Sequence, residues 1–253
     1  MEVTVADKKK VLVAFIQDRS GSMADGWMET LNGYKVFIEG LKKGEIEDGI
    51  EYRFSLTTFD TRIEAPIVGK PLTEVTGVEL ANHGPRGGTA LYDAVGMTID
   101  AISKDRHDAE KILCVIVTDG QENASREWTK DSLNKAIDAK LNEGDWTFTY
   151  LGTQPETWDD AHGIGVGVGP TATYSKGMAG QTYAAMAMMS NKIGASAVRG
   201  SRSSFTVDAT KDDVLIRASA GMHVKVDNNP PAGQVPQPPK VAMPKKASDK
   251  KWR

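Results

Sequence analysis

The sequence predicts a doubly wound α/β fold, in which helices cover both faces of a mostly parallel sheet and a short β extension follows near the C-terminus. Two patterns predict it. Short runs rich in β-branched and aromatic residues recur between turn formers, and the stretches separating them repeat apolar residues at helical spacing. Strand and helix alternating over about 190 residues builds such a sheet, and ligands of these sheets bind outside the carboxyl ends of the strands.

The first strand is Val11–Gln17 (VLVAFIQ), continuously apolar and therefore buried on both faces. Met28–Lys42 follows as a helix with Met28, Leu31, Tyr34, Ile38 and Leu41 on one face. Tyr52–Phe59 (YRFSLTTF) alternates more and is placed nearer an edge. Ile63–Val68 contains Pro66, which cannot donate to a ladder, so this segment is an edge strand or an irregular connection. Ala90–Ser103 repeats Leu91, Val95, Ile99 and Ile102 as a helix. Lys111–Thr118 (KILCVIVT) is a second buried strand, Ser132–Leu141 a helix carrying Leu133, Ala136, Ile137 and Leu141, and Trp146–Leu151 (WTFTYL) a third buried strand.

Gln181–Ala197, rich in Ala and Met, closes the α/β pattern as a helix. After Arg199 the character changes. SSFTV, DVLIRA and HVKV read as short strands of a ribbon, and from Asn228 the density of proline predicts a disordered or polyproline-like tail. The organisation is an α/β domain over 1–200, a β ribbon over 201–227 and a Pro/Lys-rich tail over 228–253.

Composition narrows the function classes. The 253 residues are 40% hydrophobic and 26% charged with a net charge of −3, so no global attraction to nucleic acid or anionic membrane is expected. The tail alone is basic, with Lys240, Lys245, Lys246, Lys250, Lys251 and Arg253 against Asp249; nucleic acid contact is expected at most weakly and through it. A single cysteine, Cys114, lies within an apolar strand and reads as a small core residue. The N-terminus has no apolar signal core and no run is long enough to span a bilayer, so the expected location is the cytoplasm, with a virion component also compatible.

Three strand-to-helix loops carry the chemistry. DRSGSM places Asp18, Ser20 and Ser22 at alternate positions, GPRGGTALYDAV places Thr89 after two glycines and before a helix, and VIVTDGQEN places Asp119 at the end of a buried strand. If the sheet is wound as predicted, the loops converge on one rim. Two carboxylates and three hydroxyls make a hard oxygen set without nitrogen or sulfur, a poor match for zinc or copper and a good one for Mg²⁺, with Mn²⁺ fitting the same donors. Helix capping by Ser20, Ser22 and Thr89 and turn closure by Asp119 explain each residue singly, but not the recurrence of all five in order on three loops.

DRSGSM, Thr89 and TDG resemble the metal-ion-dependent adhesion site of von Willebrand factor type A domains, in a form similar to bacterial and phage intracellular members. The resemblance covers roughly residues 8–200. It implies a Rossmann-like sheet with one antiparallel edge strand. It also implies that Ser20 and Ser22 ligate the metal through their hydroxyls and Asp18 and Asp119 directly or through water. The resemblance further implies that Thr89 ligates directly when a partner is engaged and through water otherwise, and that a partner's carboxylate takes the sixth position.

Neighbouring residues have more than one reading. Arg19, at the motif's variable position, points to solvent or back into the loop; Asp60 lines the rim or closes a turn. Gly87 and Gly88 permit the turn that presents Thr89. Asp93 lies in the first turn of a helix, where a carboxylate favours the dipole. Glu122 and Asn123 shape the loop after Asp119, with Glu122 bordering the ligand site. Arg19, Asp60, Gly88 and Glu122 are thus candidates for a ligand rim, and His83 lies in the loop before Thr89. No phosphate-binding loop, H-E-x-x-H or G-x-S-x-G motif is present, and neither Ser20 nor Ser22 has an evident base.

The leading expectation is a non-enzymatic, metal-dependent protein-binding module whose partner presents an acidic residue, as a complex subunit or an adaptor of an AAA+ ATPase. The alternative is a structural or assembly protein of a phage particle or bacterial complex. A Mg²⁺-dependent hydrolase is the third reading, which two carboxylates and a metal permit but no recognisable base or phosphate-binding lysine supports.

Overall fold

The computed structural model describes the backbone of residues 9–152, 171–173, 179–195, 205–210, 213–218 and 223–226, and side chains over 9–152 and 180–195. The tail over 228–253, the glycine-rich stretch 162–170 and the boundary near residue 200 lie outside the described residues.

The chain runs β1 (Lys9–Asp18), α1 (Trp27–Glu47), β2 (Ile50–Phe59), β3 (Ile63–Pro71), α2 (Leu91–Asp105), β4 (Lys111–Thr118), α3 (Lys130–Glu143), β5 (Trp146–Gly152), β6 (Thr171–Thr173), α4 (Ala179–Ala195), β7 (Phe205–Thr210), β8 (Asp213–Ala218) and β9 (His223–Val226). The strands form one sheet in the order β3-β2-β1-β4-β5-β6-β7-β8-β9. From β2 to β7 neighbouring strands are parallel, and β3 is an antiparallel edge strand whose pairing with β2 carries two register shifts. The β7–β9 ribbon continues this same sheet, with β7 parallel to β6 and β8 and β9 antiparallel. Among the described residues no helix is long and apolar enough to cross a membrane.

The central strands are continuously apolar because both faces are covered. Side chains alternate across a strand, so Val11, Val13 and Phe15 of β1 join Leu113, Val115 and Val117 of β4 in a core under α1 and α4. Leu12, Ala14 and Ile16 join Ile112, Cys114 and Ile116 in a second core under α2 and α3. Cys114 is fully buried there, and burial pushes its thiol pKa up.

Helix α1 runs to Glu47, five residues past the expected end at Lys42, although Gly44 lies in that stretch and Gly33 and Gly40 precede it. The glycines serve packing. A Cβ on Gly33 would fall 2.6 Å from the Tyr183 ring, one on Gly40 2.5 Å from the Ala187 Cβ, and one on Gly44 2.1 Å from Asn191. The bare face of α1 therefore admits α4 at short range, and Asn191 seals the contact by donating to the Gly40 carbonyl (3.0 Å) while accepting from the Tyr52 hydroxyl (2.8 Å).

Because the Ala187 Cβ cannot rotate away, Gly40→Ala is expected to destabilise the fold by about 1–3 kcal/mol through overpacking, against the roughly 1 kcal/mol that alanine adds to an exposed helix. Urea denaturation checks this, and Ala187→Gly in the same chain is expected to recover part of the loss.

Candidate metal centre

In doubly wound sheets the crevice opens where the winding reverses. Here that point lies between β1 and β4, and both strands end in a carboxylate-bearing loop. Asp18, the last residue of β1, is 0% exposed. Its Oδ1 accepts from the Ser20 backbone N–H (2.6 Å) and its Oδ2 from the Thr118 hydroxyl (2.5 Å), which ends β4. Burial raises the Asp18 pKa to about 6; the bonds from Thr118 and Ser20 hold it down, and the charge of Asp119 adds to the rise.

The hydroxyls continue from this carboxylate. Ser20 Oγ and Ser22 Oγ share a hydrogen bond at 3.0 Å, and Ser22 donates to Asp119 Oδ1 at 2.6 Å. Thr89, 2% exposed, completes the group from the third loop. Gly120 marks the point on which they converge: a Cβ there would lie 2.8 Å from Thr89 Oγ1, 3.2 Å from Ser22 Oγ and 3.4 Å from Ser20 Oγ. Three hydroxyl oxygens thus surround a space that any side chain at 120 would fill. Among the described residues no group of three or more His, Cys, Asp or Glu is arranged to hold a metal, so a cation at this rim would rest on a hydroxyl-rich set. That donor chemistry, hard neutral oxygens flanked by two carboxylates, fits Mg²⁺ or Mn²⁺.

Backbone bonds lace the three loops together. Arg19 N–H donates to the Phe59 carbonyl (2.8 Å), Arg86 N–H to the Arg19 carbonyl (2.8 Å), Gly21 N–H to the Gly87 carbonyl (3.1 Å) and Ala90 N–H to the Asp60 carbonyl (2.9 Å). Gly87 makes the turn before Thr89 at φ +69°, a region that L side chains seldom adopt. Thr89 itself donates from its backbone N–H to Asn123 Oδ1 (2.9 Å), and its carbonyl accepts from Asn123 N–H (3.0 Å) and Ala124 N–H (3.2 Å).

The expected rim residues are placed differently from the five ligand candidates. Arg19 turns back into the loop and is buried, with Nη1 2.9 Å from His83 Nδ1, Nε 3.1 Å from Asp60 Oδ2 and Nη2 2.6 Å from Glu64 Oε1. The Nε and Nη2 contacts are ion pairs rather than aligned hydrogen bonds. Asp60 is 1% exposed and accepts from Arg86 Nε (2.8 Å) and Arg62 N–H (2.8 Å); burial pushes its carboxyl up, but these donors and the Arg19 charge outweigh it and hold the pKa low. Burial and the Arg19 charge lower the His83 pKa, so a neutral ring accepts from Arg19.

Glu122 has both oxygens occupied away from the hydroxyls. Oε1 accepts from Ala124 and Ser125 N–H, and Oε2 from the Ser125 hydroxyl and from Tyr92 N–H at the start of α2. Gly88 faces the Asn123 amide. Asp93 does more than favour a helix dipole: it accepts from the backbone N–H groups of Arg126, Glu127 and Trp128 (2.7–3.0 Å), pinning the β4–α3 loop to α2. Sequence reasoning missed Thr118, Gly120 and the Asp93 bonds. A threonine before Asp-Gly at a strand end was the available signal for the first two; nothing local signals the third.

The fold recurs in solved structures of low identity. A von Willebrand factor type A protein from Catenulispora acidiphila is 16% identical with a TM-score of 0.57, over 87% of this chain and 53% of that one. The PilB minor pilin of Streptococcus sanguinis is 13% identical with a TM-score of 0.55, over 75% and 63%. Proximal thread matrix protein 1 from the mussel byssus, solved with a zinc-occupied MIDAS motif, is 14% identical with a TM-score of 0.53, over 73% and 46%. This chain thus spans between 46% and 63% of the length of these structures. No family model and no curated protein matches the sequence. With TM-scores of 0.53 to 0.57, the chain shares the fold of these structures.

Proposed function

We propose that the chain is a divalent-metal-dependent protein-binding module. The observation that carries this reading is the convergence of three hydroxyls from two loops on the space in front of Gly120, bonded through Ser22 to Asp119 and through the loop backbone to Asp18. Ser20, Ser22 and Thr89 would hold Mg²⁺ or Mn²⁺ through their hydroxyls, with Asp18 and Asp119 supplying charge. With three neutral ligands, a cation so held would retain an appetite for a partner's Asp or Glu carboxylate. The mussel protein's zinc-occupied motif makes zinc a third ion to compare.

The chain's own residues support binding rather than turnover. The hydroxyls bond to one another and to Asp119, and His83 is engaged by Arg19. General-base hydrolysis needs a base free to reach a nucleophile; in this reading Asp119, which accepts from Ser22, is committed to the cation, and His83 to Arg19. The reading is therefore non-enzymatic.

Asp18 links the reading to stability. Its folded pKa of about 6 stands above the ordinary 3.8, so the metal-free protein is penalised by roughly 3 kcal/mol above pH 6, and the penalty fades as pH falls from 6 towards 4. Asp18→Asn is expected to raise the melting temperature measured in EDTA at pH 7.5 and to lose most of that advantage at pH 4.5. It is also expected to abolish metal-induced stabilisation. In the wild type, Mn²⁺ at about 100 times its Kd adds about 2.7 kcal/mol, a rise of roughly 5–10 °C for a domain of this size. Scanning calorimetry of both proteins at the two pH values checks these outcomes; a wild type indifferent to Mg²⁺, Mn²⁺ and Zn²⁺ contradicts the reading.

The binding role has its own test. A pull-down from host lysate in Mg²⁺ is expected to retain proteins that EDTA, Asp119→Ala or Thr89→Ala releases. Retention unchanged by all three sinks a metal-mediated role.

A further inference from the structure

Thr89 poses a positioning problem. It follows two glycines, which offer no side chain to brace the loop, yet its hydroxyl must meet those of Ser20 and Ser22. The brace comes from another strand's loop. Asn123 holds the Thr89 peptide from both sides, its side-chain Oδ1 accepting from Thr89 N–H and its own N–H donating to the Thr89 carbonyl. That loop is rigid: Glu122 ties it to Tyr92, and Asp93 takes three of its backbone N–H groups.

Asn123 lies four residues after Asp119, so one loop delivers a carboxylate and also fixes a hydroxyl that belongs to a different loop. Its side chain is exposed and absent from both hydrophobic cores, so core packing does not require it. Gly88 makes room for it, since a Cβ there would stand 2.6 Å from Asn123 Oδ1. Within the metal reading above, on which this inference rests, we infer that Asn123 is a positioning residue that sets metal affinity through Thr89, and that Gly88 is glycine to admit it. Groups that orient metal ligands without touching the ion commonly change affinity 10–100-fold when removed.

The test is Mn²⁺ titration, followed by electron paramagnetic resonance of the free ion, on wild type, Asn123→Ala, Gly88→Ala and the double variant. Each single change is expected to weaken Mn²⁺ binding about tenfold. The double variant is expected to be no worse than Asn123→Ala, because the added methyl finds space once Oδ1 is gone; independent effects would instead add. Asn123→Asp, which keeps the acceptor, is expected to bind at least as tightly as wild type. Hydrogen exchange at the Thr89 amide in EDTA is expected to quicken in Asn123→Ala. Affinity within twofold of wild type in folded Asn123→Ala, additive losses, or an unchanged Thr89 exchange rate overturns the inference. A wild type that binds no Mn²⁺ overturns the metal reading instead.

Discussion

A carboxylate buried at the end of the central strand is the constraint on which the rim depends. Asp18 is withdrawn from water, and an isolated charge there is costly unless donors or a cation compensate it. The donors are Ser20 N–H and the Thr118 hydroxyl. Thr118 is in place because the parallel register of β1 and β4 pairs Gln17 with Val117, and that register is held by apolar side chains entering two cores. A hydrophobic pattern thus determines where a polar contact forms at the end of the strand.

The adjacent cation is committed elsewhere. Arg19 follows Asp18 directly but turns to Asp60 in the β2–β3 turn, Glu64 at the start of β3 and His83 in the loop before Thr89. This does two things at once. It ties the β1 loop to the β2–β3 turn and to the loop before Thr89, and it leaves the negative charge of Asp18 and Asp119 uncancelled by Arg19. An ordered, hydroxyl-lined and net-negative crevice is the electrostatic profile that a hard divalent cation matches.

Much of this was legible in the sequence. Two of the buried strands, β1 and β4, are continuous apolar runs, and β4 starts and stops where its run does. The five oxygen ligand candidates stand out because Asp, Ser and Thr recur at strand ends, where a wound sheet gathers its loops. Less legible were features that depend on which surfaces meet. The expected helix ends at Lys42, short of Gly44, but α1 continues through that glycine because α4 lies against it. Arg19 was ambiguous between solvent and loop, since its partners lie 41 or more positions away at Asp60, Glu64 and His83. Asp93 and Asn123 looked like an ordinary helix start and an ordinary loop residue. Their roles exist only once α2 and the β4–α3 loop are brought together.

Gly120 offers the most direct test of the central claim, because substituting it removes no ligand. An alanine there places one methyl among the Thr89, Ser22 and Ser20 oxygens and leaves every carboxylate and hydroxyl in the chain. Calorimetric titration of Mn²⁺ into wild type and Gly120→Ala is the measurement, with melting in EDTA as the control for folding. The account predicts one site in the wild type and its loss in a folded Gly120→Ala protein. Equal binding by the two proteins, or none by the wild type, would contradict it.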